Sequence, residues 1–170
     1  MSILKKEGTL HGLFLNKLEA LYDVELQITK ALPKLAKKVT DPDLKEALEH
    51  HLQETEVQVQ RLEQCFSLLD EKPKKLKGEA IRGMASDATW VLHNVEEGPA
   101  LDANIIAAAQ YVEHYEIAGY GTAAEWARLM KHTEVKELLD QTLEEEKSAN
   151  DKLTSLAETK INRQVAMGME

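Results

Sequence analysis

Two glutamates lie in the apolar stripes of predicted helices, where a charged side chain is uncommon. Glu25 and Glu116 each continue a stripe with the three-or-four spacing that marks the buried face of a helix. An ionised carboxylate in such a place costs free energy unless it is paired or binds a cation. Both residues are therefore candidate metal ligands. The two stripes read Phe14, Leu18, Leu21, Glu25, Ile28, Leu32 and Ile105, Ala109, Val112, Glu116, Gly119, Ala123.

An internal repeat connects these glutamates with two others. A shift of 91 residues, the difference between positions 25 and 116, also maps Glu54 on Glu145. We therefore expect a duplicated helical hairpin that brings the four carboxylates to one level. Glu113, one helical turn before Glu116, adds a fifth. Glu54 and Glu145 lie on the shoulders of their stripes, so a solvated flank is the alternative for each. The same shift aligns Phe14 with Ile105, Leu21 with Val112, Leu48 with Leu139 and Leu62 with Leu153.

The elements that must position these residues are helices, since the pattern contains no convincing strand. Asp41 followed by Pro42 is a typical N-cap and first helical residue. Pro33 should bend or fray the last turns of the first helix. The predicted helices cover 10–38, 42–69, 79–95, 102–131 and 133–159, and residues 160–170 are predicted to be a flexible tail.

The connections between the helices predict how the bundle is wired. The first two long helices are joined by a few residues, as are the last two, so each pair should be an antiparallel hairpin. About thirty residues separate the hairpins, including the short helix, and they are long enough to run back along the bundle at about 1.5 Å per residue. We expect an all-α, up-down-down-up four-helix bundle with a long crossover, forming one domain over residues 1–170.

Composition excludes several classes of function. The formal charge of -9 repels nucleic acid and anionic lipid, and no basic patch offsets it. The sequence has no run of eighteen apolar residues, so we expect no membrane span. Its first residues lack the apolar region of a secretory signal. Cys65 is the single cysteine, so no internal disulfide is possible. We expect a cytoplasmic protein with no nucleic acid or membrane partner.

Charge counting favours a site with two metal ions. Four or five carboxylates in a low-dielectric interior repel one another and lose hydration. Protonation is one way to neutralise them, but no Lys or Arg is predicted to be buried beside them. Two divalent cations would balance the four carboxylates that the repeat relates.

These motifs resemble a known family. The order Glu, Glu, Glu-x-x-Glu, Glu across four helices is similar to the di-iron site of the ferritin-like superfamily, rubrerythrin in particular. The segments "HLQETEVQVQRLEQCF", "AAAQYVEHYEIAGYGT" and "TLEEEKSANDKLTSLA" resemble the YciF/YciE type of bacterial stress protein, from about residue 9 to 160. The resemblance implies a ferritin-like bundle, a homodimer and a metal centre of two ions, with iron expected. It implies no known reaction.

The sequence departs from the ferritin-like pattern at two positions. Sites of that superfamily usually read Glu-x-x-His on the second and fourth helices, whereas Val57 and Ser148 stand at the histidine positions here. His51, Gln58 or Glu146 are open alternatives as further ligands. An oxygen-rich site also suits manganese, magnesium or calcium ions.

Two hypotheses about function follow. The first is a stress-related metal-binding protein that reduces peroxide or O2, or oxidises Fe(II), with its electrons supplied by a separate donor because no Cys-x-x-Cys pairs are present. The second is a dimeric helical interaction protein in which an ion is structural or vestigial.

Overall fold

The computed structural model describes residues 8–168, and these residues contain helices and no strand. None of the helices in this part of the chain is long and apolar enough to cross a membrane. The helices are α1 (Leu10–Ala36), α2 (Pro42–Leu68), α3 (Glu79–Asn94), α4 (Pro99–Leu129), α5 (Thr133–Leu156) and α6 (Asn162–Met167), with a π-helical turn (Ala157–Ile161) between α5 and α6.

Local capping chemistry explains where the first helices begin. The Thr9 hydroxyl accepts a hydrogen bond of 3.1 Å from Gly12 N and caps α1. Asp41 caps α2 by accepting hydrogen bonds from the backbone of the first turn, and Pro42 occupies the first helical position as predicted. Pro33 lies within α1, which continues to Ala36.

α4 begins three residues earlier than the sequence predicts. Pro99 occupies its first turn, directly after Gly98. The N–H groups of the first turn have no partner within the helix, so the missing N–H of proline costs no hydrogen bond there. The fixed backbone angle of proline also suits a helix. The earlier start brings Asp102 into the first turn of α4.

The four long helices form the predicted bundle. α1 and α2 pack as one hairpin, α4 and α5 as the other, while α1 also packs on α4 and α2 on α5. Asp102 of α4 contacts Thr40 at one end of the bundle, and Gly119 lies against Leu21 of α1 farther along. α1 and α4 are therefore antiparallel, which makes α4 parallel to α2. The crossover helix α3 lies on α4.

The apolar core is divided into two clusters, one toward each end of the bundle. Phe14, Leu18, Leu62 and Tyr120 belong to the first cluster. Val24, Leu44, Leu101 and Ile105 belong to the second. A layer of buried polar side chains lies between them, and it contains the predicted site residues.

The C-terminal segment differs from its predicted form. Within the described part of residues 160–170, the chain continues as a π-helical turn and α6. Ile161 is fully buried in the second apolar cluster, and Lys160 Nζ lies 2.8 Å from Asp41 Oδ2 and 2.5 Å from Asp43 Oδ2. These tertiary contacts order a segment that has no periodic pattern of its own. Residues 1–7, 169 and 170 lie outside the described part of the chain.

Candidate metal centre

All four long helices contribute to the polar layer. Glu25 comes from α1, His51 and Gln58 from α2, Glu113 and Glu116 from α4, and Glu146 from α5. Each of these residues is at most 8% exposed. His51 and Gln58 are seven residues apart on α2, and Glu113 and Glu116 are three apart on α4. Both spacings place side chains on one face of a helix.

Four of these residues converge closely enough to hold a cation. His51, Glu113, Glu116 and Glu146 each offer one ligand atom, and these atoms all lie within 4.8 Å of one another. His51 Nε2 is 3.3 Å from Glu113 Oε1, across the diagonal between α2 and α4. A set of three carboxylates and one imidazole suits iron or manganese, and it contains a nitrogen ligand that the repeat does not predict.

The layer contains an unusual concentration of unpaired polar atoms. Eight buried side-chain oxygen and nitrogen atoms have no hydrogen-bond partner among the described residues, and all eight belong to this layer. Buried polar atoms are nearly always hydrogen-bonded, since leaving one unpaired costs about 1–3 kcal/mol. The eight unpaired atoms are Glu25 Oε2, His51 Nδ1, Gln58 Oε1, Glu113 Oε2, both carboxylate oxygens of Glu116 and both of Glu146.

Burial changes the acidity of these carboxyl groups. Burial raises the pKa of Glu25 to about 7, although a hydrogen bond from Tyr120 and the nearby His51 act in the opposite direction. The pKa values of Glu116 and Glu146 are raised well above 4.5, first by burial and then by the neighbouring carboxylates. The layer therefore favours either protons or a bound cation.

His51 responds to the same carboxylates in the opposite sense. Burial disfavours its charged form, but the carboxylates of Glu54, Glu113 and Glu25 outweigh burial and raise its pKa. His51 Nδ1 faces Glu54, whose Oε2 is 3.8 Å away. The imidazole thus connects the interior of the layer with its edge.

Tyr120 holds Glu25 in place. Its hydroxyl donates a hydrogen bond to Glu25 Oε1, and both residues are fully buried. Burial raises the pKa of Tyr120 well above 10, so the phenol is a neutral donor at physiological pH. Tyr22, which the repeat pairs with Glu113, instead donates to Glu63 over 2.8 Å, outside the layer.

The five predicted ligands divide into two groups. The carboxylates of Glu25, Glu113 and Glu116 lie in the layer. The side chains of Glu54 and Glu145 are each 30% exposed and lie at its edge. Glu54 Oε2 is 3.2 Å from His50 Nδ1, and His51 and His50 together lower the pKa of Glu54.

On α5, the inward carboxylate is Glu146 rather than its neighbour Glu145. The buried positions of α5 include Leu139, Thr142, Glu146 and Leu153, a helical series that passes through position 146. The shift of 91 residues maps Glu146 on Thr55, which is also fully buried. The repeat therefore aligns the inward positions, but only one half carries a carboxylate there.

Arg61 is the cation that sequence reasoning missed. Its side chain is only 11% exposed, and its two terminal nitrogens each lie 2.8 Å from a different oxygen of Glu145. One of them also donates to Thr142 Oγ1 over 2.6 Å, and Gln58 Nε2 donates to Glu145 Oε2 over 3.1 Å. The prediction that no buried Lys or Arg accompanies the carboxylates is therefore wrong for Glu145.

A polar cavity opens onto the layer between α2, α4 and α5. Its volume is about 210 Å³, and His50, Glu54, Ser148 and Lys152 lie on its walls together with His51 and Glu113. Charged and polar groups at the walls can replace part of the hydration of an entering ion.

The chain is similar to proteins of one family. Residues 9–166 match the family model described as a domain of unknown function, DUF892. Protein YciF of Escherichia coli (strain K12) is 40% identical over 156 residues, which cover 91% of this chain and 94% of the relative.

Solved structures resemble the chain over nearly its whole length. The crystal structure of the E. coli stress protein YciF matches with a TM-score of 0.87 and 40% identity, covering 91% of this chain and 98% of that one. YcfI from Rhodopseudomonas palustris, described as a structural protein, matches with a TM-score of 0.86 and 42% identity over 89% and 96% of the two chains. A Xanthomonas campestris protein shares the fold at 20% identity, with a TM-score of 0.74, and the match covers 96% of this chain and 100% of that one. The match to YciF confirms the predicted ferritin-like fold.

Proposed function

The chain belongs to the DUF892 family, and we propose that it is a stress-related metal-binding protein with a carboxylate-rich centre. The observation that carries this proposal is the set of eight buried polar atoms without a hydrogen-bond partner among the described residues, all in one layer. A bound cation would satisfy the carboxylate oxygens and remove the repulsion between them.

The charge of the layer supports two divalent ions. Glu25, Glu113, Glu116 and Glu146 together carry four negative charges when ionised, which two divalent ions would balance. His51, Glu113, Glu116 and Glu146 would hold the first ion. Glu25, which interacts with Glu116, would be available to a second, with Glu54 at the edge of the layer.

Iron is the proposed metal, with manganese as the nearest competitor. Carboxylates with an imidazole suit both ions. Bound iron would supply one-electron chemistry toward O2 or peroxide. The chain itself would orient Glu25 through Tyr120 and flank the layer with the two apolar clusters. The single cysteine leaves electron delivery to a separate donor.

A scaffold without turnover is the second candidate. Burial and mutual repulsion raise the pKa values of Glu25, Glu116 and Glu146, so protons alone would partly neutralise the layer. Arg61 already neutralises Glu145. In that role, the chain would act as a helical homodimer in which the polar layer fixes the register of the helices.

Metal analysis followed by an activity assay separates the two candidates. Protein purified without added metal, then titrated anaerobically with Fe(II) or Mn(II), should bind about two ions per chain. Oxygen or peroxide consumption by the iron-loaded protein would support the enzyme. Bound but redox-inert metal would support the scaffold, and failure to bind any divalent ion would overturn the metal proposal.

A further inference from the structure

A second cavity reaches the metal centre from the side of the crossover helix. It lies between α1, α3 and α4 and has a volume of about 80 Å³. This volume exceeds the roughly 10–15 Å³ that a single water molecule needs, so a small molecule fits. Its walls are mainly aliphatic, and they include Ile28, Leu32, Met84, Ala88, Ala109 and Val112.

The two ends of this aliphatic cavity lie at different places in the molecule. At the inner end it contacts His51 and Glu113, which both belong to the ligand group. At the outer end it is lined by Gln27 and Ala85, which also line a surface groove beside Trp90. The Gln27 side-chain amide donates to Asp23 Oδ2 over 2.7 Å, so this polar group is already engaged. The two shared lining residues thus place the outer end of the cavity beside the surface groove.

Small residues and a lightly packed helix maintain the space. Alanines of α1, α3 and α4 line the cavity where larger side chains would fill it, and Ile81 is the one buried residue of α3. Protein interiors are normally packed as densely as organic crystals, so unfilled space between three packed helices is uncommon. A void that ends on metal-ligating side chains is therefore a candidate binding site.

The wall chemistry selects what enters. Aliphatic walls cannot replace the hydration of an ion or the hydrogen bonds of a peroxide, whereas a small apolar molecule loses little on entering. The polar cavity with His50, Glu54 and Lys152 offers the opposite environment. We infer that the aliphatic cavity is a binding and access site for a small neutral apolar molecule of the dioxygen class, while cations and peroxide use the polar cavity. The role of this molecule at the metal rests on the proposed function, but its binding does not.

Xenon binding tests the cavity without any metal. Metal-free crystals under xenon pressure should show xenon among Ile28, Leu32, Ala109 and Val112. Ala88→Phe should fill the space and abolish that peak. If the phenylalanine variant folds poorly, Ala88→Leu can replace it and should weaken the peak. Ala80→Phe is the matched control, because Ala80 is an exposed residue of α3 outside the cavity. Absence of xenon from the wild type, or full occupancy in both Ala88 variants, would overturn the inference.

A kinetic comparison tests access to the metal. In the assay, two Fe(II) ions would supply one electron each and water two protons, so that O2 would be reduced to hydrogen peroxide. Ala88→Phe should slow Fe(III) formation by O2 severalfold, leave oxidation by added peroxide unchanged, and leave Fe(II) stoichiometry unchanged. Equal rates with O2 in Ala88→Phe and Ala80→Phe would overturn the access role. Xenon binding in a protein that binds neither Fe(II) nor Mn(II) would refute the proposed function alone and leave the cavity site standing.

Discussion

The hydroxyl of Tyr120 donates a hydrogen bond to Glu25 Oε1 and thereby connects α4 with α1 at the level of the candidate metal centre. Glu25 Oε2 has no hydrogen-bond partner within the described residues. Tyr120→Phe should therefore leave the whole carboxylate unsatisfied, lowering the free energy of unfolding by about 1–3 kcal/mol and raising the pKa of Glu25 further. Urea unfolding at several pH values would measure both effects, and metal titration would show whether the hydrogen bond also affects metal affinity.

Tyr111→Phe is the control for that change, because the Tyr111 side chain on the same helix is exposed. It should leave unfolding and metal affinity as in the wild type. Equal behaviour of the two variants would show that the Tyr120 hydrogen bond has no energetic role.

Substitutions of Glu145 and Glu146 should have different effects. Glu146→Gln should remove most bound metal and stabilise the metal-free protein, since it removes a buried ionisable group with a raised pKa. Glu145→Gln should keep the metal but break the ion pair with Arg61, at a cost of about 1–2 kcal/mol. Elemental analysis and thermal unfolding of both variants provide the comparison. Loss of metal in Glu145→Gln alone would assign the ligand to Glu145.

The stability of the metal-free protein should fall as the pH rises from about 5 to about 8. The pKa of Glu25 is raised in the folded state to about 7, so the folded state binds more protons than the unfolded state between 4.5 and about 7. Stability is therefore lost as the pH rises through this window, by roughly 3 kcal/mol for Glu25 when it is fully ionised. The raised pKa of His51 acts in the same direction.

Thermal unfolding in a chelating buffer at several pH values would measure this slope. Glu25→Gln should flatten it. Saturating metal should remove the contribution of the carboxylates, because metal-bound carboxylates hold no protons, and should reverse the slope through His51, which stays neutral on a metal but titrates in the unfolded chain. A metal-free protein that becomes more stable across this window would contradict the assigned pKa shifts.

Two glycines of α4 provide a matched pair of packing tests. A Cβ atom at Gly119 would lie 2.8 Å from Leu21 Cδ2, whereas at Gly121 its nearest neighbour is Leu143 Cδ2 at 4.0 Å. Gly121→Ala should stabilise the protein by about 1 kcal/mol through helix propensity. Gly119→Ala gains the same helix propensity but must displace buried Leu21 at a cost of about 1–3 kcal/mol, so it should be less stable than Gly121→Ala. Urea unfolding of both variants would test this order, and a more stable Gly119→Ala would contradict it.

Asp102 supports the end of the bundle away from the metal. Its carboxylate accepts hydrogen bonds from Thr40 N at 3.0 Å, Thr40 Oγ1 at 2.8 Å and Asp41 N at 2.9 Å. Asp102→Ala should lower the free energy of unfolding by about 1–3 kcal/mol without changing metal stoichiometry. Calorimetry and elemental analysis would check the two parts, and loss of metal in a folded variant would show that the two regions are coupled.

Much of the fold and part of the site could be predicted from local pattern. Glu25 and Glu116 were identifiable because each continues an apolar stripe, and burial along a helix follows periodicity. The hairpins followed from the short connections between helices. Helix α6 could not be predicted in this way, because its approach to the bundle depends on contacts of Lys160 and Ile161 with other parts of the chain.

The choice between Glu145 and Glu146 shows where periodicity loses resolution. Neighbouring residues differ by only about 100° around a helix, so a residue beside the stripe can face either way. The repeat favours Glu145 because its partner Glu54 is also a glutamate, and it leaves Glu146 only as an alternative for a further ligand. Arg61 was missed for a related reason, since a long side chain on the flank of a helix can reach solvent or fold over a buried carboxylate.

Anomalous diffraction from crystals grown with Fe(II) or Mn(II) would locate any metal bound in the polar layer, with Glu116→Gln as the ligand variant. The control is Glu125→Gln, an exposed residue of the same helix. We expect an anomalous peak among His51, Glu113, Glu116 and Glu146 in the wild type and the control, and its loss in Glu116→Gln. No peak in the wild type, or an unchanged peak in Glu116→Gln, would contradict this expectation.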